Sequence, residues 1–312
     1  MRLLPAERVL ILIILVLAAV DAALLAFKQV RLDWAGYSLP VLMSAALFFG
    51  GQYYRVARFE ERLALALSAS GLFILFTLVT SIFNYLLLPI HFPIVDSFWV
   101  KLDASMGYDW SSLVVWFSQW PTASRLLLFI YFSSLPQLSA VVLLLGLSGQ
   151  DKVLWHFLLT GVLGVLGCIA IWAIFPSFGA SSVHDLPQST LDAVPVAVSP
   201  QYSAEVLRLS RDGATYISPA NVLGLIGFPS FHTVMACMSV VFLARFKWIM
   251  PFAVLLNIAM VPAILVHGGH HLSDVFGGIV MFGLAYLVAG KLLVRLSASH
   301  GQRAEIKASA AR

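Results

Sequence analysis

Stretches of about 20 apolar residues recur along this chain, at roughly 9–27, 37–54, 63–88, 123–147, 153–175, 229–246, 249–267 and 271–293, and they constrain its fold more than any other feature. A hydrocarbon layer about 30 Å thick offers no water to backbone amides, so a stretch of this length meets its hydrogen bonds by coiling into a helix. The expected fold is therefore all-α, a polytopic membrane protein with about eight transmembrane helices. Composition agrees: 60% of the residues are hydrophobic and 11% charged, with a mean hydropathy of +0.92. That is more apolar surface than a soluble domain of 312 residues buries.

The net charge of +4 comes from basic residues scattered over short loops rather than gathered in a stripe. The bilayer is thus the expected partner, and nucleic acid is not. Cys168 and Cys237 lie within apolar runs and imply no disulfide framework. Arg2 and Arg8 precede an apolar stretch too long for a signal-peptide core, so the first stretch is expected to stay as a span. With a cytoplasmic N-terminus, thirteen of the 19 Lys and Arg residues fall at inside ends or loops, including Arg55, Arg58, Arg62, Lys152, Arg245, Lys247, Lys291, Arg295, Arg303, Lys307 and Arg312. Six fall outside: Lys28, Arg31, Lys101, Arg125, Arg208 and Arg211. This bias predicts both termini inside.

Two segments interrupt the spans. Residues 91–121 are semi-polar, with Asp96, Lys101, Asp103, Asp109 and four tryptophans, and predict one or two helices along the bilayer surface. The tryptophans of the chain are expected to form an interfacial belt. Residues 177–220 make an outer loop broken by Pro187, Pro195, Pro200 and Pro219, with a short amphipathic helix over 201–211. A loop this long is either functional or disordered. A lid is the preferred reading, because the loop leads into the first of two motifs that carry chemistry.

Those motifs are Pro229-Ser230-Phe231-His232 and, 38 residues after His232, His270-His271-Leu272-Ser273-Asp274. Both open spans on the non-cytoplasmic face by the charge count. Attack on a phosphate ester needs a nucleophile at neutral pH, donors for developing charge and an acid for the leaving oxygen. Imidazole is nucleophilic near pH 7. His270 and Asp274 are spaced i, i+4, so on a helix the carboxylate orients one ring nitrogen and frees the other. His232 then serves as acid and afterwards as base. Ser230 offers a hydroxyl at a helix N-terminus, where partial positive charge collects, and Gly268 and Gly269 let the chain turn tightly and expose amides.

Phe-Pro-Ser-Phe-His and His-His-Leu-Ser-Asp, followed by Gly277-Gly278, resemble the second and third signature motifs of the type 2 phosphatidic acid phosphatase superfamily. The branch most similar is that of the inositol phosphorylceramide synthases, and Asp96 to Trp110, Tyr131 and Pro136-Gln137 are also similar to it. The resemblance covers about residues 85–285. It implies a six-helix core within 63–295, two additional N-terminal helices in 1–62 and a basic cytoplasmic tail at 296–312. It further implies His270 as a nucleophile forming a phosphohistidine, Asp274 as its orienting carboxylate, His232 as the acid and Ser230 as a phosphate contact, to which the exposed amide of Gly269 is expected to add. Neither metal nor cofactor is implied. The substrate would be a lipid phosphate ester such as phosphatidic acid, phosphatidylinositol with ceramide, or an isoprenyl phosphate, and the reaction hydrolysis or transfer to a lipid alcohol. The chain departs from the first motif: Cys168 stands where its Lys would be, Phe175-Pro176 where its Arg-Pro would be, and Ile264 replaces a further Arg. Lys101, Arg125, Arg208 or Arg211 would then supply the phosphate-binding charge.

The same residues admit blander and rival readings. His271 occupies the family's aromatic position and is expected to pack at the headgroup level. His267 is either a support for the site or a helix end. Asp21, an acid within the first span, is a functional candidate or a partner of Lys28. Gly161, Gly164 and Gly167 predict close helix packing. His267, His270 and His271 form an HxxHH string of the kind iron-dependent desaturases use, though no second cluster accompanies it. Asp21 and the proline-broken helix at Pro136 would suit a transporter.

Overall fold

The computed structural model describes residues 3–310, with side chains through residue 298. Arg2 and Arg312, counted above for orientation, lie outside the described residues, and so do the side chains of Arg303 and Lys307. Among the described residues the secondary structure is helical apart from one pair of two-residue strands, with irregular segments between helices. In order it forms α1 (Pro5–Lys28), β1 (Arg31–Leu32), α2 (Trp34–Tyr53), α3 (Glu61–Leu86), α4 (Asp96–Ser105), α5 (Trp110–Phe117), α6 (Pro121–Phe132), α7 (Ser134–Leu147), α8 (Asp151–Ile174), α9 (Gln188–Ala193), α10 (Pro200–Asp212), β2 (Tyr216–Ile217), α11 (Phe231–Leu243), α12 (Met250–His267) and α13 (Leu272–Ala310).

Six helices are long and apolar enough to cross a membrane: α1, α2 with the π-turn that continues it to Arg58, α3, α8, α12 and α13 to Ala298. The chain is an integral membrane protein, and large apolar side chains such as Leu12, Leu42, Phe129, Phe252 and Leu287 stand exposed on its outer surface. The two remaining expected spans come out shorter. Residues 121–147 divide at Ser133 into α6 and α7, because Pro136 has no N–H to give the carbonyl of Phe132. The stretch predicted as a span over 229–246 yields only 13 helical residues, α11, since the cap at Ser230 starts it late and Ala244 ends it. The segment 91–121 makes two short helices, α4 and α5, and α5 turns through 117° into α6.

The bundle core is shared by α1, α3, α7, α8, α11 and α13. Lipid tails are as apolar as leucine, so helices in a bilayer associate through close packing of small residues. On α8 a Cβ added to Gly161 would sit 3.1 Å from Met238, one on Gly164 3.0 Å from Val234 and one on Gly167 2.6 Å from the Met281 sulfur. The glycine stripe therefore seats α11 and α13 against α8. On the far side of the bundle, Glu7 of α1 takes a bidentate ion pair from Arg55, both bonds at 2.8 Å and both side chains buried.

The segment 177–220 is built of helices and anchored at both ends. Its expected amphipathic helix is α10, which buries Val206 and Leu209. Beyond it, β2 pairs in parallel with β1, Arg31 opposite Tyr216 and Leu32 opposite Ile217. Asp33 fixes the joint, accepting from Gly36 N at 2.9 Å to cap α2 and from Ser218 Oγ at 2.7 Å. This strand pair is the one departure from the expected all-α fold among the described residues. It arises because the loop crosses the gap between α1 and α2 in extended form.

Removing one member of a buried ion pair leaves the other uncompensated, at a cost of about 3–5 kcal/mol. Arg55→Met is expected to lower the thermal unfolding temperature in detergent sharply, and the double variant Glu7→Gln/Arg55→Met to recover most of the loss. Equal unfolding temperatures for the single variant and the unmodified protein would show that the pair carries no such strength.

Candidate active site

Both motifs lie where a helix begins. Ser230 caps α11 with a non-helical backbone (φ −66°, ψ 111°), its Oγ accepting from Thr233 N, and His232 follows in the first turn. Thirty-seven residues after Ser230, α12 ends at His267, Gly268 and Gly269 reverse the chain, and α13 starts at Leu272. Gly269 takes φ +62°, in the left-handed region, and a Cβ there would strike Ser181 and Val198. His270 thus sits on the turn before α13 rather than on the helix face that its spacing suggested. Asp274, in the first helical turn, reaches back to it.

The result is a compact, nearly dry cluster. His270 Nδ1 and Asp274 Oδ2 are 2.9 Å apart, and the same oxygen accepts from the backbone N–H of His271 at 2.9 Å. A proton on Nδ1 shared with Asp274 leaves Nε2 with its lone pair, 3.5 Å from Ser230 Oγ. The His232 and His270 rings are 6.2 Å apart between centroids and inclined at 65°. Tyr131 of α6 stacks on the opposite face of His232 at 4.4 Å. Ser230 and Asp274 are fully buried and His270 is 4% exposed. The Ser230 N–H donates to the Asp274 carbonyl at 3.0 Å, tying the two motifs by backbone alone. Such approach needs small residues on α13: a Cβ on Gly278 would lie 2.5 Å from the Ser230 carbonyl oxygen and one on Gly277 2.5 Å from the Phe228 ring.

Beside this cluster lies a second polar group, which sequence reasoning missed. His271 is not packed at a surface; it is 1% exposed, with Nε2 3.2 Å from Asp96 and Nδ1 3.5 Å from Asp103. Asp103 also accepts from the backbone of Leu272 at 2.8 Å and of Ser273 at 3.1 Å, and from Ser273 Oγ at 2.6 Å, so it caps α13 from another helix. Asp96 accepts from Ser177 Oγ, Phe178 N and Gly179 N at 2.6–3.1 Å. Burial alone would lower the pKa of His271, but hydrogen bonds to Asp103 and Asp96, with the field of Asp274, outweigh it and raise the value to about 9. Burial alone would raise Asp103, and the bonds from His271, Ser273 and Leu272 instead hold it below the ordinary carboxylate value. The two aspartates are seven residues apart, two turns on one face of α4. That spacing was the available signal.

The four cations proposed for phosphate binding stand elsewhere. Arg208 is engaged with Glu205 at 2.7 Å, Arg211 with the Leu207 carbonyl, and Lys101 and Arg125 are exposed. Among the described residues no hydrogen bond or ion pair joins any of the four to Ser230, His232, His270 or Asp274. The loop 177–220 does reach the site: Ser181 N donates to Gly269 O and Val198 N to His267 O, both at 3.2 Å. His267, fully buried, bonds the Ser124 carbonyl at 2.8 Å. The three imidazoles of the HxxHH string thus face three different sets of partners. Asp21 is buried but does not meet Lys28, whose Nζ bonds the carbonyls of Leu86 and Leu88. Nor are all tryptophans at an interface: Trp110, Trp155 and Trp172 lie in the core, and Trp110 Nε1 bonds the Leu265 carbonyl at 2.8 Å.

The His271 group makes stability depend on pH in a definite sense. Its folded-state pKa of about 9 exceeds the ordinary 6.5, so its charge stabilises the fold fully below about pH 6.5, and the contribution fades as pH rises through about 9. The unfolding temperature is expected to fall between pH 6.5 and 10, and His271→Gln to flatten that fall. An unchanged pH profile in the variant would place the titration elsewhere.

No curated protein and no solved structure gives a match to the chain. A family model for the PAP2 superfamily matches residues 98–288, which takes in both histidine motifs, Asp103 and the helices α5 to α12. The match spans more than half of the sequence. With the paired histidine motifs joined at one end of a membrane bundle, this chain belongs to the PAP2 superfamily.

Proposed function

We propose that this protein is a lipid phosphatase or phosphotransferase that works through a phosphohistidine on His270. Superfamily membership supports phosphatase-type chemistry on lipids. The observation that carries the finer reading is the arrangement of His270. One ring nitrogen is held by Asp274, and the other faces Ser230 beside His232. Attack requires a substrate phosphorus within roughly 3–3.5 Å of Nε2, on the side that faces Ser230.

In the first step His270 Nε2 forms a bond to phosphorus as the bond to the leaving oxygen breaks, and His232 gives that oxygen its proton. In the second, His232 takes a proton from water or an alcohol, whose oxygen attacks phosphorus and breaks the P–N bond. Water makes the reaction a hydrolysis, and a lipid alcohol makes it a transfer of the kind inositol phosphorylceramide synthases perform. Charge on the phosphate is met by Ser230 and the first amides of α11, where a helix N-terminus concentrates partial positive charge. The residues 121–147 and 229–246 complete an eight-span arrangement with both termini inside. The site then opens on the outer face, under the loop 177–220.

His270→Ala is expected to abolish turnover while the protein inserts and folds, and His232→Ala to cost roughly 10²–10⁴-fold in kcat, the range of a general acid–base group. Asp274→Asn is expected to lower kcat with little change in KM. Turnover of labelled phospholipid by purified protein, with and without added long-chain alcohol, separates transfer from hydrolysis by its products. Substantial activity in His270→Ala would reject the mechanism. Chelators are expected to leave activity intact, and inhibition by them that iron reverses would favour the histidine-string alternative.

A further inference from the structure

A cavity of about 180 Å³ lies inside the bundle between α1, α3, α7, α8 and α11. Its volume is comparable to the apolar cavities of about 150 Å³ that take up benzene. Most of its wall is hydrocarbon, but one side is not. Thr77, Thr80, Ser81 and Asn84 follow one another at i, i+3, i+4 and i+7 along α3, a polar stripe about 10 Å long at 1.5 Å per residue. Thr77 and Ser81 spend their hydroxyls on the carbonyls of their own helix. The hydroxyl of Thr80, a residue only 5% exposed, and the side-chain oxygen of Asn84 have no partner. Polar atoms left unpaired within a bilayer are expensive, so the stripe points to an occupant that bonds them.

The cavity also adjoins the chemistry. Phe231, between Ser230 and His232, forms part of its wall, and so does Leu135, one turn from the Tyr131 that stacks on His232. The polar stripe belongs to α3, which lies outside the residues matched by the family model. We infer that the cavity seats the alkyl chain of a lipid whose reacting oxygen lies at His232, and that Thr80 and Asn84 select a chain carrying an O–H or N–H donor. Asn84 Oδ1 accepts that donor, and the Thr80 hydroxyl donates or accepts beside it. A chain whose polar link is an ester has no such donor. The inference rests on the proposed lipid phosphotransfer for its site of reaction, and on the cavity alone for its ligand.

Two alkyl probes carrying a diazirine, identical except for an amide or an ester near the head, would be photolysed with the full-length protein in nanodiscs, and the labelled peptides mapped. Labelling is expected on α3, α7 and α8, several-fold stronger with the amide. Leu158→Trp, which fills the cavity from α8, is expected to reduce labelling about tenfold and to raise KM for a long-chain phosphate, while kcat/KM for a short water-soluble phosphate ester stays unchanged. The near-isosteric Thr80→Val with Asn84→Leu is expected to keep the labelling and erase the amide preference. Labelling confined to the outer surface, or an amide preference that survives Thr80→Val/Asn84→Leu, would overturn the inference. Failure of the unmodified protein to turn over any phosphate ester would instead count against the proposed reaction and leave the labelling test standing.

Discussion

An imidazolium enclosed by carboxylates in a dry interior holds only while all partners stay together, because each buried charge depends on the others for solvation. His271 between Asp96 and Asp103 is such a group, and the geometry of the site follows from it. Asp103 caps the first amides of α13, and Asp96 pins the chain just after α8 at Ser177 to Gly179. The turn carrying His270 is thereby held between two elements that do not belong to it. His270 and Asp274 then need only the local reach of one helical turn to meet, and the backbone bond from Ser230 to Asp274 brings α11 to the same point.

The remainder of the bundle is arranged to allow that approach. Glycines on α8 let α11 and α13 come close, and Gly277 and Gly278 let α13 touch the chain around Ser230. The two N-terminal helices are tied to each other through Glu7 and Arg55, and to the outer segment through the short β pair. That β pair joins the first loop to the segment covering the His270 turn, so α1 and α2, which with α3 lie outside the family match, are connected to the site. Close helix packing and buried ionic ties are what a bilayer leaves available, since burying apolar surface against other helices gains little where the solvent is itself hydrocarbon.

Much of the site was legible in the chain because its members are close in sequence. His270 and Asp274 are four residues apart, and Ser230 and His232 two, so the chemistry of each half could be read locally. Asp96 and Asp103 were harder: they lie about 170 residues from His271, and their acidic character reads equally well as a wetted surface helix. His271 misled for the opposite reason, since an imidazole at a span boundary is indistinguishable by sequence from one at the headgroups. The cations proposed for phosphate binding make no bond to the histidine cluster among the described residues, since positive charge in a loop says nothing of where a side chain points. The spans at 123–147 and 229–246 came out shorter because hydropathy registers apolar length and is blind to a missing amide at Pro136 or a cap at Ser230.

What the sequence by itself determined is the solvent and the chemistry. Runs of apolar residues commit the backbone to helices, since no other open structure meets its hydrogen bonds in hydrocarbon. The paired histidine motifs point to the PAP2 superfamily and hold the side chains proposed to react. Tertiary structure alone decided which charges are buried together, which tryptophans pack into the core and where a polar stripe on α3 faces a cavity. Those outcomes depend on contacts between residues far apart in the chain, and a buried polar atom acquires its meaning only from the partner that packing brings, or fails to bring, within hydrogen-bond reach.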